Sequence, residues 1–176
     1  SPVGFWQAIG ANRRAILLYL GFGSFYSIAI YVSVAAYLAY MLANGFSERS
    51  ALTINTISGV VIILGILLSG GLADRIGRKP ILVAGASAMA LGVVPTFLLG
   101  ATGTFALGLL GALIFVVPLS VFITPAVINV VELFPAKVRV TAGAAAYNLT
   151  VIVGGFMPFV AVWLTDATGS HLAFAG

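Results

Sequence analysis

Gly70-Gly71-Leu72-Ala73-Asp74-Arg75-Ile76-Gly77-Arg78-Lys79 sets four charges within six residues, between two long stretches, 50–73 and 80–131, that carry none. The first of these has 24 residues and the second 52; two others, 15–47 and 140–165, have 33 and 26. A helix crosses a bilayer with about 20 apolar residues at about 1.5 Å each. The 52-residue stretch, roughly 78 Å as one rod, must therefore fold into two spans. Five spans result, at about 15–42, 50–72, 80–99, 105–131 and 141–164. The expected fold class is an all-α polytopic membrane protein.

Composition agrees with that reading. Of 176 residues, 61% are hydrophobic and 7% charged, a balance that suits lipid rather than water. Zero cysteines exclude disulfides, thiolate catalysis and cysteine metal sites, and a single histidine, His171, leaves little for other transition-metal sites. No metal and no cofactor are expected. The net charge of +4 is better explained by orientation in the bilayer than by nucleic acid, because the eight basic residues sit in loops. Arg13, Arg14, Arg75, Arg78, Lys79, Lys137 and Arg139 fall on one side and only Arg49 on the other, seven against one. The positive-inside rule then makes the amino end, the loop after span two and the loop after span four cytoplasmic, and the carboxyl end external.

Residues 1–14, with Trp6, read as an amphipathic cytoplasmic lead-in, residues 15–166 as the helical body and residues 167–176 as an external tail approaching a further helix. Gly100-Ala101-Thr102-Gly103-Thr104 suits a tight turn between spans three and four. Span four carries Pro118 and Pro125, each lacking a backbone donor, so bends or hinges are expected there.

The loop after span two matches every position of Gly-x-x-x-Asp-Arg-x-Gly-Arg-Arg/Lys, from Gly70 to Lys79, and so resembles the signature loop of the major facilitator superfamily. Gly70 would let two helices approach and Gly77 would permit a tight reversal. A second block, Glu132-Leu133-Phe134-Pro135-Ala136-Lys137-Val138-Arg139, is similar to a segment after the tenth helix of that superfamily. The whole chain resembles the carboxyl-terminal half of its metabolite:proton symporter group. The resemblance implies five helices of a six-helix half-bundle, the seventh to eleventh of twelve, with the twelfth helix and the amino-terminal half as the missing partner. It also implies a cytoplasmic gate of Gly70, Asp74, Arg75, Gly77, Arg78, Lys79, Glu132 and Arg139, in which Glu132 pairs with Arg78 or Arg139 and Asp74 sits near the start of span five. The plainer role of both blocks is to stop helices and fix topology.

Several polar residues lie within the spans. Tyr19, Tyr26, Ser33 and Tyr40 recur at seven-residue intervals, with Tyr37 four beyond Ser33, so that face of span one is expected to look inward. Tyr19 and Tyr40, near the ends, suit an aromatic belt. Tyr26 lies twelve residues beyond Arg14, roughly 18 Å along the axis and near mid-bilayer, and ranks first as a substrate contact. Asn148 lies roughly 14 Å along span five, open to either a helix-to-helix hydrogen bond or substrate contact, and the family resemblance tips it toward contact. Ser27 and Asn55 complete the candidate substrate set; Asn55, like Asn129, lies nearer a span end and suits a structural hydrogen bond or interfacial solvation better than substrate contact. Ser27, Ser24 and Thr124 are weaker candidates, since such hydroxyls bond the preceding turn. Span three, with Ser87, Thr96 and the small-residue face of Gly85, Ala88 and Gly92, reads as a support helix.

No acidic or basic side chain lies deep in any span, so proton coupling must reside in the missing half. The expected function is part of a secondary transporter in the plasma membrane, a bacterial inner membrane, moving a small metabolite with protons by alternating access. An organic acid is the expected substrate. The alternatives are a facilitator or channel, and a non-transporting assembly subunit; buried nucleophiles, acids and metal ligands of a membrane enzyme are not evident.

Overall fold

The computed structural model describes residues 13–133, 139–157, 159–160 and 163. The expected lead-in up to Asn12, the loop at 134–138 and the tail at 167–176 lie outside the described residues. Among the described residues the chain is helical, joined by short turns. The elements are α1 (Arg13–Tyr31), a π-helical turn (Val32–Ala36), α2 (Tyr37–Ala43), α3 (Glu48–Ile76), α4 (Arg78–Gly100), α5 (Phe105–Leu133) and α6 (Arg139–Gly155). Among the described residues, four helical stretches are long and apolar enough to cross a membrane: Tyr19–Ala43, Glu48–Ile76, Arg78–Gly100 and Phe105–Ile128. The helix α6 is described over 17 residues, and Val160 continues it by donating to the Phe156 carbonyl at 3.1 Å.

Local chemistry sets the ends. The Ser47 hydroxyl accepts from the Ser50 amide at 3.2 Å and Glu48 occupies the first turn of α3, where a carboxylate suits the helix dipole. At the other end α3 runs beyond the expected 50–72, so that Asp74 and Arg75 are themselves helical. Gly77 then reverses the chain at φ 94°, ψ 151°, a backbone conformation essentially confined to glycine. Pro80 follows in the first turn of α4, where its missing N–H costs nothing.

The most apolar helix is also the hub. α5 packs along α4 and α3 and touches α1, while α6 lies chiefly on α1. One cluster joins Tyr37, Tyr40, Met41, Phe46, Ile54 and Phe97 near the turns 44–47 and 101–104; a second joins Ala29, Met89, Phe115, Leu119, Phe122 and Ile123. Tyr37 and Tyr40 meet Phe97 edge-on, with centroids 5.9 and 4.9 Å away. The aromatic-belt assignment of Tyr19 and Tyr40 is therefore corrected: they are only 2% and 6% exposed, held in packing between helices rather than at a lipid interface. The opposite surfaces are apolar and exposed, as at Leu67, Leu68 and Leu91, which lipid satisfies and water does not.

Glycines decide how closely α4 and α5 approach. A Cβ on Gly85 would stand 3.3 Å from the Pro118 carbonyl oxygen, and one on Gly92 would stand 3.0 Å from Ile114 Cγ2 and 3.3 Å from its carbonyl oxygen. The Ile114 carbonyl is the one whose helical donor Pro118 removes, so Gly92 brings α4 against an oxygen left without that bond. Thr96 secures the same seam by donating to the Gly111 carbonyl at 2.9 Å. This fits the support-helix reading of span three, except that Ala88 and Ser87 face outward. The expected close approach at Gly70 is not found among the described residues, where nothing lies within 4 Å of the position its Cβ would take.

Candidate functional site

The groove between α1 and α6 combines polar groups at mid-span with open space. Its volume is about 470 Å³, within the range of small-molecule sites. From α1 and the π turn come Tyr26, Ser27, Ile30, Tyr31, Val34 and Ala35; from α6 come Tyr147, Val151, Gly154 and Gly155. On the first wall these are two adjacent rows four residues apart, 26/30/34 and 27/31/35, the stripe that a helix presents to one side. The π turn continues this wall through Val34 and Ala35, and π segments recur at functional sites.

The floor is a close helix crossing. A Cβ on Gly154 would stand 2.8 Å from Ser27 Cβ, so only glycine lets α6 seat there. Gly155 has nothing within 4 Å of its Cβ position and leaves the groove open beside it. Tyr26 is half-buried, with one side on the core around Phe122, whereas Val34, Ala35, Tyr147, Val151 and Gly155 are exposed. The lining is thus three phenols and one hydroxyl in an apolar wall, with no ionisable acid or base of the Asp, Glu, Lys, Arg or His type. It can stack on, hydrogen-bond to and exclude water from a small solute; it offers no group to relay a proton at neutral pH.

The structure brings together some of the sequence candidates and separates others. Tyr26 and Ser27 share the groove. Asn148 does not line it: the side chain is exposed on α6 and its amide donates to the Ala144 carbonyl at 2.8 Å, one turn back. Within the described bundle its own helix, rather than a neighbouring one, supplies the acceptor. Asn55 is half-buried on α3, away from the groove lining. Tyr31 and Tyr147 were not among the sequence candidates. Tyr31 is five residues beyond Tyr26, in the neighbouring row, and Tyr147 precedes Asn148; a seven-residue interval passes over the first and the polarity of an amide draws attention from the second.

Thr124 is structural, bonded to Ser69 and, at 3.2 Å, to the Ile66 carbonyl, which ties α5 to α3. Tyr37 is structural too: its buried hydroxyl donates to the Gly108 carbonyl at 2.7 Å. Of the residues expected at a cytoplasmic gate, Asp74, Arg75 and Lys79 are exposed, Arg78 is half-buried, and Gly77 makes the reversal between α3 and α4. The side chains of Glu132, Asn129 and Arg139 lie outside the described residues, and with them the expected pairs of Glu132. α5 remains helical across Pro118, which is half-buried, and Pro125, which is fully buried.

The described helices define a polytopic all-α membrane protein with a neutral, aromatic groove between α1 and α6. The family model described as sugar (and other) transporter matches residues 3–176, and the chain belongs to that family, within the major facilitator superfamily. It is 36% identical over 118 residues to the glycine betaine/proline/ectoine/pipecolic acid transporter of Dickeya dadantii, covering 62% of this chain and 24% of that protein. It is 27% identical over 175 residues to the proline/betaine transporter of Salmonella typhimurium, covering 94% of this chain and 33% of that one. The ectoine/proline transporter of Corynebacterium glutamicum is 26% identical over 147 residues, 82% of this chain and 28% of its own. The chain thus spans between about a quarter and a third of the length of these relatives, all of which are named as transporters rather than enzymes. No solved structure matches it significantly.

Proposed function

We propose that this chain is the carboxyl-terminal half of a secondary transporter that carries a compact zwitterionic solute across a bacterial inner membrane, coupled to protons, by alternating access. The groove lined by Tyr26, Ser27, Tyr31 and Tyr147 is the observation that carries this reading: an uncharged, hydrogen-bonding wall open on one side is what one half of a two-sided site requires. The relatives' names favour proline- and betaine-like solutes, and the expected organic acid gives way to them. A net anion would also find no cation in the groove lining. The amino-terminal half supplies the opposite wall, the proton-linked groups and the anchor for the solute carboxylate. The seven-to-one basic bias places the ends of α3 and α5 on the cytoplasmic side, where the Asp74 loop acts with Glu132 and Arg139 as a latch on the outward-facing state.

The test is uptake by vesicles containing the intact protein. Labelled glycine betaine or proline is expected to accumulate saturably, faster when the outside is acidic, without competition from a dicarboxylate. Uptake of a dicarboxylate that zwitterions do not inhibit would restore the organic acid. Uptake that is neither saturable nor pH-dependent would mean a facilitator or channel, and no uptake of any of these would favour an assembly subunit.

A further inference from the structure

We propose that the groove between α1 and α6 receives the cationic end of the solute, above all a fully substituted ammonium, and holds it by the ring faces of Tyr26, Tyr31 and Tyr147 rather than by a carboxylate. This rests on the zwitterion reading above and deepens it. A quaternary ammonium has no N–H to donate, so acceptor oxygens serve it poorly; its charge is spread over methyl groups that aromatic faces attract. Three aromatic residues line the groove from both sides, Tyr26 and Tyr31 on α1 and Tyr147 on α6. The chain's four acidic residues, Glu48, Asp74, Glu132 and Asp166, all fall near span ends, and none is in the lining. At this depth the rings are the strongest attraction for a cation that the groove itself offers.

The same geometry orients the solute. All eight basic residues also fall near span ends, so the groove holds no charge for the carboxylate, which points away from α1 and α6 toward the opposite half. The Gly154 crossing limits depth and Gly155 leaves lateral room, so the size of the ammonium head is read beside Gly155. A choline lipid carries the same head, but Tyr26 lies roughly 18 Å along the helix from Arg14, far from the headgroup layer.

The experiment uses the intact transporter in vesicles of phosphatidylethanolamine and phosphatidylglycerol, which exclude choline lipids, and measures inhibition of labelled proline uptake. Glycine betaine is compared with 3,3-dimethylbutanoate, its isostere with carbon in place of nitrogen. Betaine is expected to inhibit at least about tenfold more strongly. Tyr26→Leu and Tyr147→Leu are each expected to weaken betaine by about tenfold, while Tyr26→Phe and Tyr147→Phe keep its ring faces and stay within about threefold. Proline, whose ammonium retains N–H groups, will respond to the phenylalanine variants more than betaine does. Gly155→Val will weaken betaine more than proline. If a leucine variant fails to reach the membrane, graded fluorination of Phe in the Tyr147→Phe protein replaces it, with betaine affinity falling as the ring face loses charge. Equal inhibition by betaine and its isostere, or no response to fluorination, overturns the proposal while leaving zwitterion transport standing. A protein that transports betaine with all groove variants unchanged removes the groove as the site. A protein that transports no zwitterion sinks the underlying functional reading.

Discussion

A phenol within a membrane span needs an acceptor or a wet cavity, and the tyrosines of the first span divide on that choice. Tyr37 has an acceptor: the Gly108 carbonyl, 2.7 Å away across the α2–α5 contact. Tyr37→Phe is expected to lower the stability of the purified protein by about 1 to 2 kcal/mol, read as a lower thermal midpoint, while leaving solute affinity unchanged. Loss of solute affinity without loss of stability would instead assign Tyr37 to the transport path. Tyr26 has a cavity. Its depth was legible from twelve residues' distance to Arg14, and the seven-residue spacing turned the face of Tyr19 and Tyr40 inward, whereas the belt reading of these two from their place near the span ends missed their burial. An aromatic-belt rule reads depth alone, and burial depends on which neighbour stands at that azimuth. Asn148 shows the same limit: the sequence gives its distance along α6, whereas its exposure follows from how α6 is rotated against α1, and its bond to Ala144 is local to the helix.

At the level of elements, α4 and α5 form a seam whose closeness depends on small residues opposite proline-freed backbone. Gly92→Val would push a branched side chain into Ile114 and its carbonyl, already 3.0 and 3.3 Å from a single Cβ. A loss of about 1 to 3 kcal/mol is expected, measured as reduced thermal stability in detergent. Gly92→Val with unchanged stability would mean that the seam yields without cost. The loop joining α3 to α4 carries a different kind of prediction. Its reversal at Gly77 was legible because few backbones other than glycine turn in that way, whereas the close approach expected at Gly70 has no partner within the described bundle. Asp74 is exposed at the end of α3, and individual exposed ion pairs contribute only about 0 to 1 kcal/mol, so the latch requires several acting together. As a member of that set, Asp74→Asn in the intact transporter is expected to move the population toward the inward-open state, by about threefold. Spectroscopic distances across the cytoplasmic rim that do not change would remove Asp74 from the latch.

For the molecule as a whole, orientation rests on the distribution of eight basic residues and is open to direct test. This chain has zero cysteines, so single replacements Arg75→Cys, Lys137→Cys and Arg49→Cys can be labelled once any cysteines in the rest of the transporter are replaced. In intact cells a membrane-impermeant thiol reagent is expected to reach position 49 only, and positions 75 and 137 only after the membrane is opened. Labelling of 75 and 137 from opposite faces would break the topology.

The sequence by itself determined four of the membrane-crossing stretches, the reversing loop and the family motif. Each of these depends on charge cost, hydrophobic length or a glycine-only backbone, quantities that are local and additive along the chain. The tertiary structure alone decided that α5 is the hub and that Tyr26, Tyr31 and Tyr147 meet around one groove. Residue number fixes how deep a side chain lies, at about 1.5 Å per residue. The direction in which it points depends on register and rotation against neighbouring helices, and here also on a five-residue π turn that shifts the register of the first span by one residue, about 100°.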